Sequence, residues 1–185
     1  MSDEVEVKVY AEGGTMPIQA TPGAAGWDLQ AQLGVPLRLK PGGRAEVPTG
    51  LWLAIPAGYE GQVRPRSGLA REYGVTVTNA PGTVDSDYRG EVRVLLVNHG
   101  PRAVIIQPGD RIAQLVIAPV PRVRLVAVAS VEDLGATARG EGGFGSTGSG
   151  AVPGGEVPLS APVSDSAEGQ LGLFAAVADR GPMEV

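Results

Sequence analysis

The 185-residue chain has no cysteine and a single histidine, His99. Without thiols there is no disulfide framework, no thiolate nucleophile and no Cys-based zinc site. One histidine excludes a histidine-cluster metal site and argues against a Ser-His-Asp triad. Any acid–base chemistry therefore falls to carboxylates. Lysine is almost missing as well, with only Lys8 and Lys40, so nearly all the cations are arginines. Scattered arginines suit forked contacts to phosphate at a few defined points. No apolar run reaches the length of a membrane span, and the N-terminal MSDEVEVKV lacks a basic-then-apolar signal pattern. These absences predict a cytoplasmic protein without membrane contact.

Aromatic residues make up only 4% of the chain, whereas glycine (28) and proline (16) are abundant. Helical periodicity is scarce, and the composition is that of a turn-rich β protein. With 43% hydrophobic residues the chain can bury one core. The charge is uneven. Residues 150–185 carry Glu156, Asp165, Glu168, Asp179 and Glu184 against Arg180, which is −4 of the net −5. The remaining body is nearly neutral, which argues against a general nucleic-acid-binding surface.

Taken in order, residues 5–10, 35–39, 45–55, 60–66, 75–78, 91–98, 103–106, 111–117 and 122–128 read as strands separated by Gly/Pro turns. Residues 67–72 are the one plausible helical turn of the body, with Ser67 as a candidate N-cap. About ten short strands at near-regular spacing predict a sandwich, barrel or jelly roll. The expected organisation is a body over 1–134, a Gly-rich arm over 135–149 and an acidic, low-complexity tail over 150–185.

Five stretches concentrate the polar chemistry. AGWDLQA (25–31) sets Asp28 at a strand start, where an acid also serves as a simple cap. RPRSGLAR (64–71) delivers Arg66, Ser67 and Gly68 to the start of the helical turn. Free N–H groups and a guanidinium fork there suit a phosphate chain; a capped turn with a surface arginine would look the same. Residues 79–91 combine Asn79, whose amide can read a base edge, with GTVDSDYRGE. Glycines at its two ends and strand signals on both sides predict a tight β-turn or hairpin tip projecting Asp85. Alone, it reads as well as a solvated surface turn. Its Tyr88 offers a flat face to a sugar. GDRIAQL (109–115) leads into a strand carrying Gln114, on its own an ordinary strand residue.

RGEGGFGSTG (139–148) formally contains G-x-G-x-x-G, but no strand precedes it and no helix follows, so the dinucleotide fingerprint is rejected. A phosphate-binding P-loop fails for want of a lysine. What remains is an arm with exposed N–H groups, Arg139, Phe144, Gly145, Ser146 and Thr147, or a disordered linker of the same composition.

In this order and spacing the five stretches resemble the five motifs of the homotrimeric deoxyuridine triphosphatases, across residues 5–148. The resemblance implies an all-β, distorted jelly-roll barrel and a threefold trimer with active sites at subunit interfaces. It implies hydrolysis of dUTP to dUMP and pyrophosphate with Mg²⁺ on the triphosphate, which keeps uracil out of DNA and supplies dUMP. Motif by motif, Asp85 corresponds to the general base for the attacking water, and Asp28 to the acid that touches the metal through water. Arg66, Ser67, Gly68 and Gln114 correspond to phosphate-chain contacts. Asn79 and the backbone at Gly82 correspond to the uracil reader, and Tyr88 to the residue that packs on deoxyribose. Arg139, Phe144, Gly145, Ser146 and Thr147 correspond to the closing arm, with Phe144 stacked on uracil. The related dCTP deaminases share the fold, but Asp85 and the Phe144 arm speak against that chemistry. A nucleotide-sensing or scaffold role without turnover is disfavoured by retention of every chemical residue.

The tail departs from that family, with 37 residues following the last motif, which ends at residue 148. Within it Gln170, Leu171, Leu173 and Phe174 form QLGLF, which resembles the short peptides that dock bacterial replication proteins onto the sliding clamp. A peptide spanning residues 168–176 is expected to bind the clamp at about micromolar strength, by apolar anchors in a groove. Leu173→Ala with Phe174→Ala abolishes that binding, and no detectable binding at high peptide concentration ends the assignment.

Overall fold

A computed structural model describes residues 4–143. The chain divides into two units, Met1–Leu125 and Val126–Val185. The first holds ten strands: β1 Lys8–Ala11, β2 Trp27–Gln30, β3 Leu37–Leu39, β4 Arg44–Ala54, β5 Tyr59–Arg64, β6 Val75–Val77, β7 Gly82–Val84, β8 Glu91–Asn98, β9 Val104–Ile106 and β10 Arg111–Pro119. Helix α1, Ser67–Tyr73, lies between β5 and β6. A short 3₁₀ turn, Glu132–Leu134, belongs to the second unit.

The strands form two four-stranded antiparallel sheets, β1-β4-β8-β6 and β2-β10-β5-β7, with a β3-β9 ribbon. The sheets stay open, so the predicted all-β jelly roll is a sandwich rather than a closed barrel. Period-two patterning explains why these residues build it. In β8, Val92, Val94 and Leu96 are buried while Arg93 and Leu95 face outward. Leu29, Val47, Val63, Val75, Val84, Ile106 and Leu115 join them in one core fed by both sheets and the ribbon. Few aromatics are needed because β-branched and leucine side chains fill the narrow space between layers.

Two expectations fail. Residues 122–128 alternate like a strand but have no ladder partner among the described residues, and Val123 and Leu125 stand exposed. Pro119 and Pro121 remove donors where pairing would begin. The second concerns residues 82–91, which are not a hairpin tip. β7 pairs with β5, and β8 pairs with β4 and β6, so the turn carries the chain from one sheet to the other. The predicted β-turn itself exists: Tyr88 N–H donates to the Asp85 carbonyl at 3.1 Å.

Two polar residues are buried among the described residues, Thr49, whose hydroxyl donates to the Val92 carbonyl, and Asn98. Asn98 is fully buried, and its Nδ2 donates to the carbonyls of Leu39 (3.0 Å) and Arg102 (2.8 Å) while its Oδ1 accepts from Gly100 N–H (2.8 Å). It ties the end of β3 to the turn after β8. Asn98→Ala strands three backbone groups and is expected to cost about 2–4 kcal/mol. Urea unfolding should show a lower midpoint at unchanged m-value.

Candidate functional site

Among the described residues, the polar residues singled out in the sequence fall into two clusters, one around Asp28 and Arg66 beyond the Arg64 end of β5 and one along β7 and the turn that follows it. At the end where β5 leaves the sheet, Asp28 on β2 is paired across β10 with Gln114, and Gln114 with Arg64. Backbone extended through Arg66 then delivers its guanidinium to Asp28. Arg66 Nε donates to Asp28 Oδ1 at 2.9 Å, Arg111 Nη1 donates to Asp28 Oδ2 at 3.1 Å, and Arg66 Nη1 donates to the Arg111 carbonyl at 3.1 Å. These three bonds close a ring with two cations and one anion. Its excess positive charge is directional, because each guanidinium still has free N–H donors.

Gln114 Nε2 donates to the Pro65 carbonyl at 2.9 Å, pinning the strand end beside the ring. Ser67 is not the N-cap. Arg66 takes that position, and Ser67 is the exposed first residue of α1 with no side-chain capping bond. The extended Arg66 backbone is spent on reaching Asp28, so Ser67 begins the helix with its hydroxyl pointing to no helical N–H. Gly68 is exposed with open space around its Cα.

The second cluster surrounds a cleft of about 300 Å³ lined by Asn79, Gly82, Asp85, Tyr88, Glu91 and Arg93. Gly82 is buried, and a Cβ there would lie 3.1 Å from Asn79 Nδ2, so glycine lets the amide sit against the strand. Asp85 is exposed on the turn that follows. Arg89 Nη1 donates to the carbonyls of Ser86 and Tyr88, both at 2.7 Å, and stiffens that turn from outside. At the cleft wall Arg93 bridges Glu46 (2.7 Å) and Glu91 (2.8 Å). The hydrogen bond that Arg93 donates to Glu46, then the charge of Glu91, raises the Arg93 pKa above the ordinary arginine value, so it stays a cation.

Along the β5–β7 ladder Gly82 stands opposite Val63 and Val84 opposite Gly61, so Gly82 lies toward the Arg64 end and Asp85 away from it.

Arg139 belongs to the second unit, is exposed, and donates from Nε to the Gly142 carbonyl at 2.7 Å. Phe144, Gly145, Ser146 and Thr147, and the tail residues Gln170, Leu171, Leu173 and Phe174, lie outside the described residues.

Arg111 is the residue that sequence reasoning missed. It stands three positions before Gln114, and strict alternation would put the two on opposite faces of β10. A register shift between Arg111 and Ala113 brings both to the Asp28 edge. Only the GDRIAQL stretch itself signalled it.

The ring's energetics follow from exposure. Arg111 is 51% exposed and Asp28 12%. Arg111→Ala is expected to cost under about 1 kcal/mol, as exposed pairs do. Asp28→Ala leaves two facing guanidinium groups without their anion and costs about 1–3 kcal/mol. Denaturant melts of the two variants check that order.

Comparison with known proteins identifies the family. A family model described as dUTPase matches residues 12–148. The deoxyuridine 5'-triphosphate nucleotidohydrolase of Chlamydia pneumoniae is 57% identical over 136 residues, covering 74% of this chain and 92% of that protein. The protein of the same name from Caulobacter vibrioides is 62% identical over 135 residues, covering 72% and 85%. Among solved structures, the Staphylococcus bacteriophage 80alpha dUTPase with dUpNHpp superposes with a TM-score of 0.67 at 25% identity, covering 80% of this chain and 99% of that one. A dUTPase from phage phi11 of S. aureus, whose structure reveals coordination of a structural Mg(II) ion, gives 0.59 at 23% identity, covering 69% and 99%. With a matching family model across most of its length and relatives above half identity, this chain belongs to the dUTPase family.

Proposed function

We propose that this dUTPase hydrolyses dUTP by in-line attack of an Asp85-activated water on the α-phosphorus, in sites built from more than one chain. The new P–O bond forms as the bond to the β-phosphate oxygen breaks, so dUMP and pyrophosphate leave. Asp85 orients the water and accepts its proton. The observation that carries this reading is the presence, on the motifs of the matching family, of a nucleoside-sized cleft with a projecting carboxylate and an arginine ring suited to phosphates.

In the cleft, the Asn79 amide beside the Gly82 backbone reads the edge of uracil, and the tight packing there leaves no room for a 5-methyl group. Tyr88 lies against the deoxyribose. At the other end Arg66 and Arg111, oriented by Asp28, take the phosphate oxygens, with Ser67, Gly68 and Gln114 alongside. Guanidinium groups already held in place stabilise charge developing on the phosphates without reorganising. A homotrimer, which the resemblance to the family implies, brings one chain's cleft to another's arginines and completes the site. Arg139, Phe144, Gly145, Ser146 and Thr147 form the arm that closes over the bound nucleotide and excludes water.

The donor set fits Mg²⁺ only as a passenger on the substrate. Among the described residues no three Asp, Glu or His side chains come together. Asp28, the acid that both arginines contact, already has both oxygens engaged. That suits an ion that keeps most of its waters, binds through phosphates and meets Asp28 through water. When bound, it neutralises phosphate charge. Among the described residues no helix is long and apolar enough to cross a membrane. Docking of the tail to a sliding clamp stands as a separate proposal that rests on its sequence.

Pyrophosphate release from dUTP, dCTP, dTTP and UTP tests base, sugar and reaction together, with dUTP the only good substrate. Asp85→Asn is expected to keep dUTP binding while turnover falls about 10²–10⁴-fold, the share of a general base. Near-normal turnover would refute the assignment. Equal mixtures of Asp85→Asn and Arg66→Ala chains, dissociated and reassembled, should regain about a quarter of wild-type activity if each site takes these residues from different chains. No recovery means that one chain supplies both.

A further inference from the structure

We propose that Gly90 and Glu91 act as a positioning step that fixes the Tyr88 ring, and thereby set how strongly the enzyme prefers deoxyribose to ribose. The proposal rests on the reading that Tyr88 lies against the sugar. An exposed tyrosine on a turn has little packing to choose its rotamer, and Tyr88 is 46% exposed. Yet its ring is folded back along its own chain. The hydroxyl donates to the Glu91 carbonyl at 3.0 Å. The ring occupies the space a side chain at Gly90 would need: a Cβ there would lie 2.5 Å from Tyr88 Cζ and 3.0 Å from Cε2. Residue 90 must therefore lack a side chain for the ring to stand where it does.

The carbonyl that receives the hydroxyl is itself held firmly. Glu91 is the first residue of β8, and its side chain is only 14% exposed. Its Oε1 accepts from Gly50 N–H at 2.9 Å, and its Oε2 accepts from Arg93 Nε at 2.8 Å. Gly50 sits where the β4–β8 register shifts between Pro48 and Trp52, so Glu91 takes an amide that the bulge frees from the ladder. Arg93 in turn reaches Glu46 across the sheet. A chain of contacts thus runs from the β4–β8 sheet through Glu91 to the tip of the Tyr88 ring. Rejecting a 2'-hydroxyl requires a wall that does not yield by the width of one oxygen. Burial does not supply that stiffness here, whereas the tethered hydroxyl and the glycine beneath the ring do.

The test compares kcat/KM for dUTP and UTP in wild-type protein, Tyr88→Ala, Tyr88→Phe, Gly90→Ala and the Tyr88→Ala/Gly90→Ala double variant, with thermal melts for each. Gly90→Ala is expected to lower the dUTP/UTP preference about tenfold by displacing the ring, and to change nothing further in the Tyr88→Ala background. Tyr88→Phe, which keeps the ring and loses only the tether, should lower the preference about threefold. If Tyr88→Ala abolishes the preference while Gly90→Ala and Tyr88→Phe leave it within twofold of wild type, the positioning step is wrong and the role of Tyr88 stands. If Tyr88→Ala keeps the preference, the role of Tyr88 is wrong and the proposal falls with it. Should Gly90→Ala fail to fold, Tyr88→Phe decides alone by the same criterion.

Discussion

Strand β5 acts as a ruler for the whole site. Its backbone is held on both sides, by β10 through six register pairs and by β7 through three, so its length cannot adjust to a ligand. The ring of Asp28, Arg66 and Arg111 is attached beyond the Arg64 end, Gly82 lies opposite Val63, and the turn bearing Asp85 leaves opposite Gly61. A sheet resists shortening far more strongly than a loop resists bending, since each ångström would cost ladder hydrogen bonds. The spacing of these groups along one chain is therefore fixed by the ladder before any ligand arrives.

The fold was legible where burial alone decides. Alternation in β8 and β4 marks a strand with one core face, and the observed limits of β8 coincide with the expected ones. Pairing is a different kind of information. Residues 122–128 show which side chains a strand would bury, but their partner is not encoded in their own pattern. The turn at 82–91 likewise announces strand, turn and strand without saying that the flanking strands belong to different sheets. The short β7 escaped notice because three residues, GTV, carry too little periodicity to register.

The site was legible by residue type more than by geometry. Asp28, Arg66 and Gln114 were singled out separately, and the structure brings them to one edge. Their arrangement as a closed ring depended on Arg111, which a one-residue bulge turns toward them. Bulges break the period-two rule that makes strands readable, so residues beside them are the ones such reasoning loses. The cap at α1 failed for a related reason. Ser67 has the right chemistry for an N-cap, but the tertiary demand that Arg66 reach Asp28 fixes which residue comes first.

Asp85 stands exposed on its turn, with little packing of its own to fix it. The bracing comes from its neighbours instead. Arg89 closes the turn from outside, the Tyr88 hydroxyl ties it to Glu91, and Glu91 ties it to β4. Hydrogen bonds from three directions thus do for an exposed turn what burial does for a core residue: they settle where a projecting carboxylate stands before any ligand arrives.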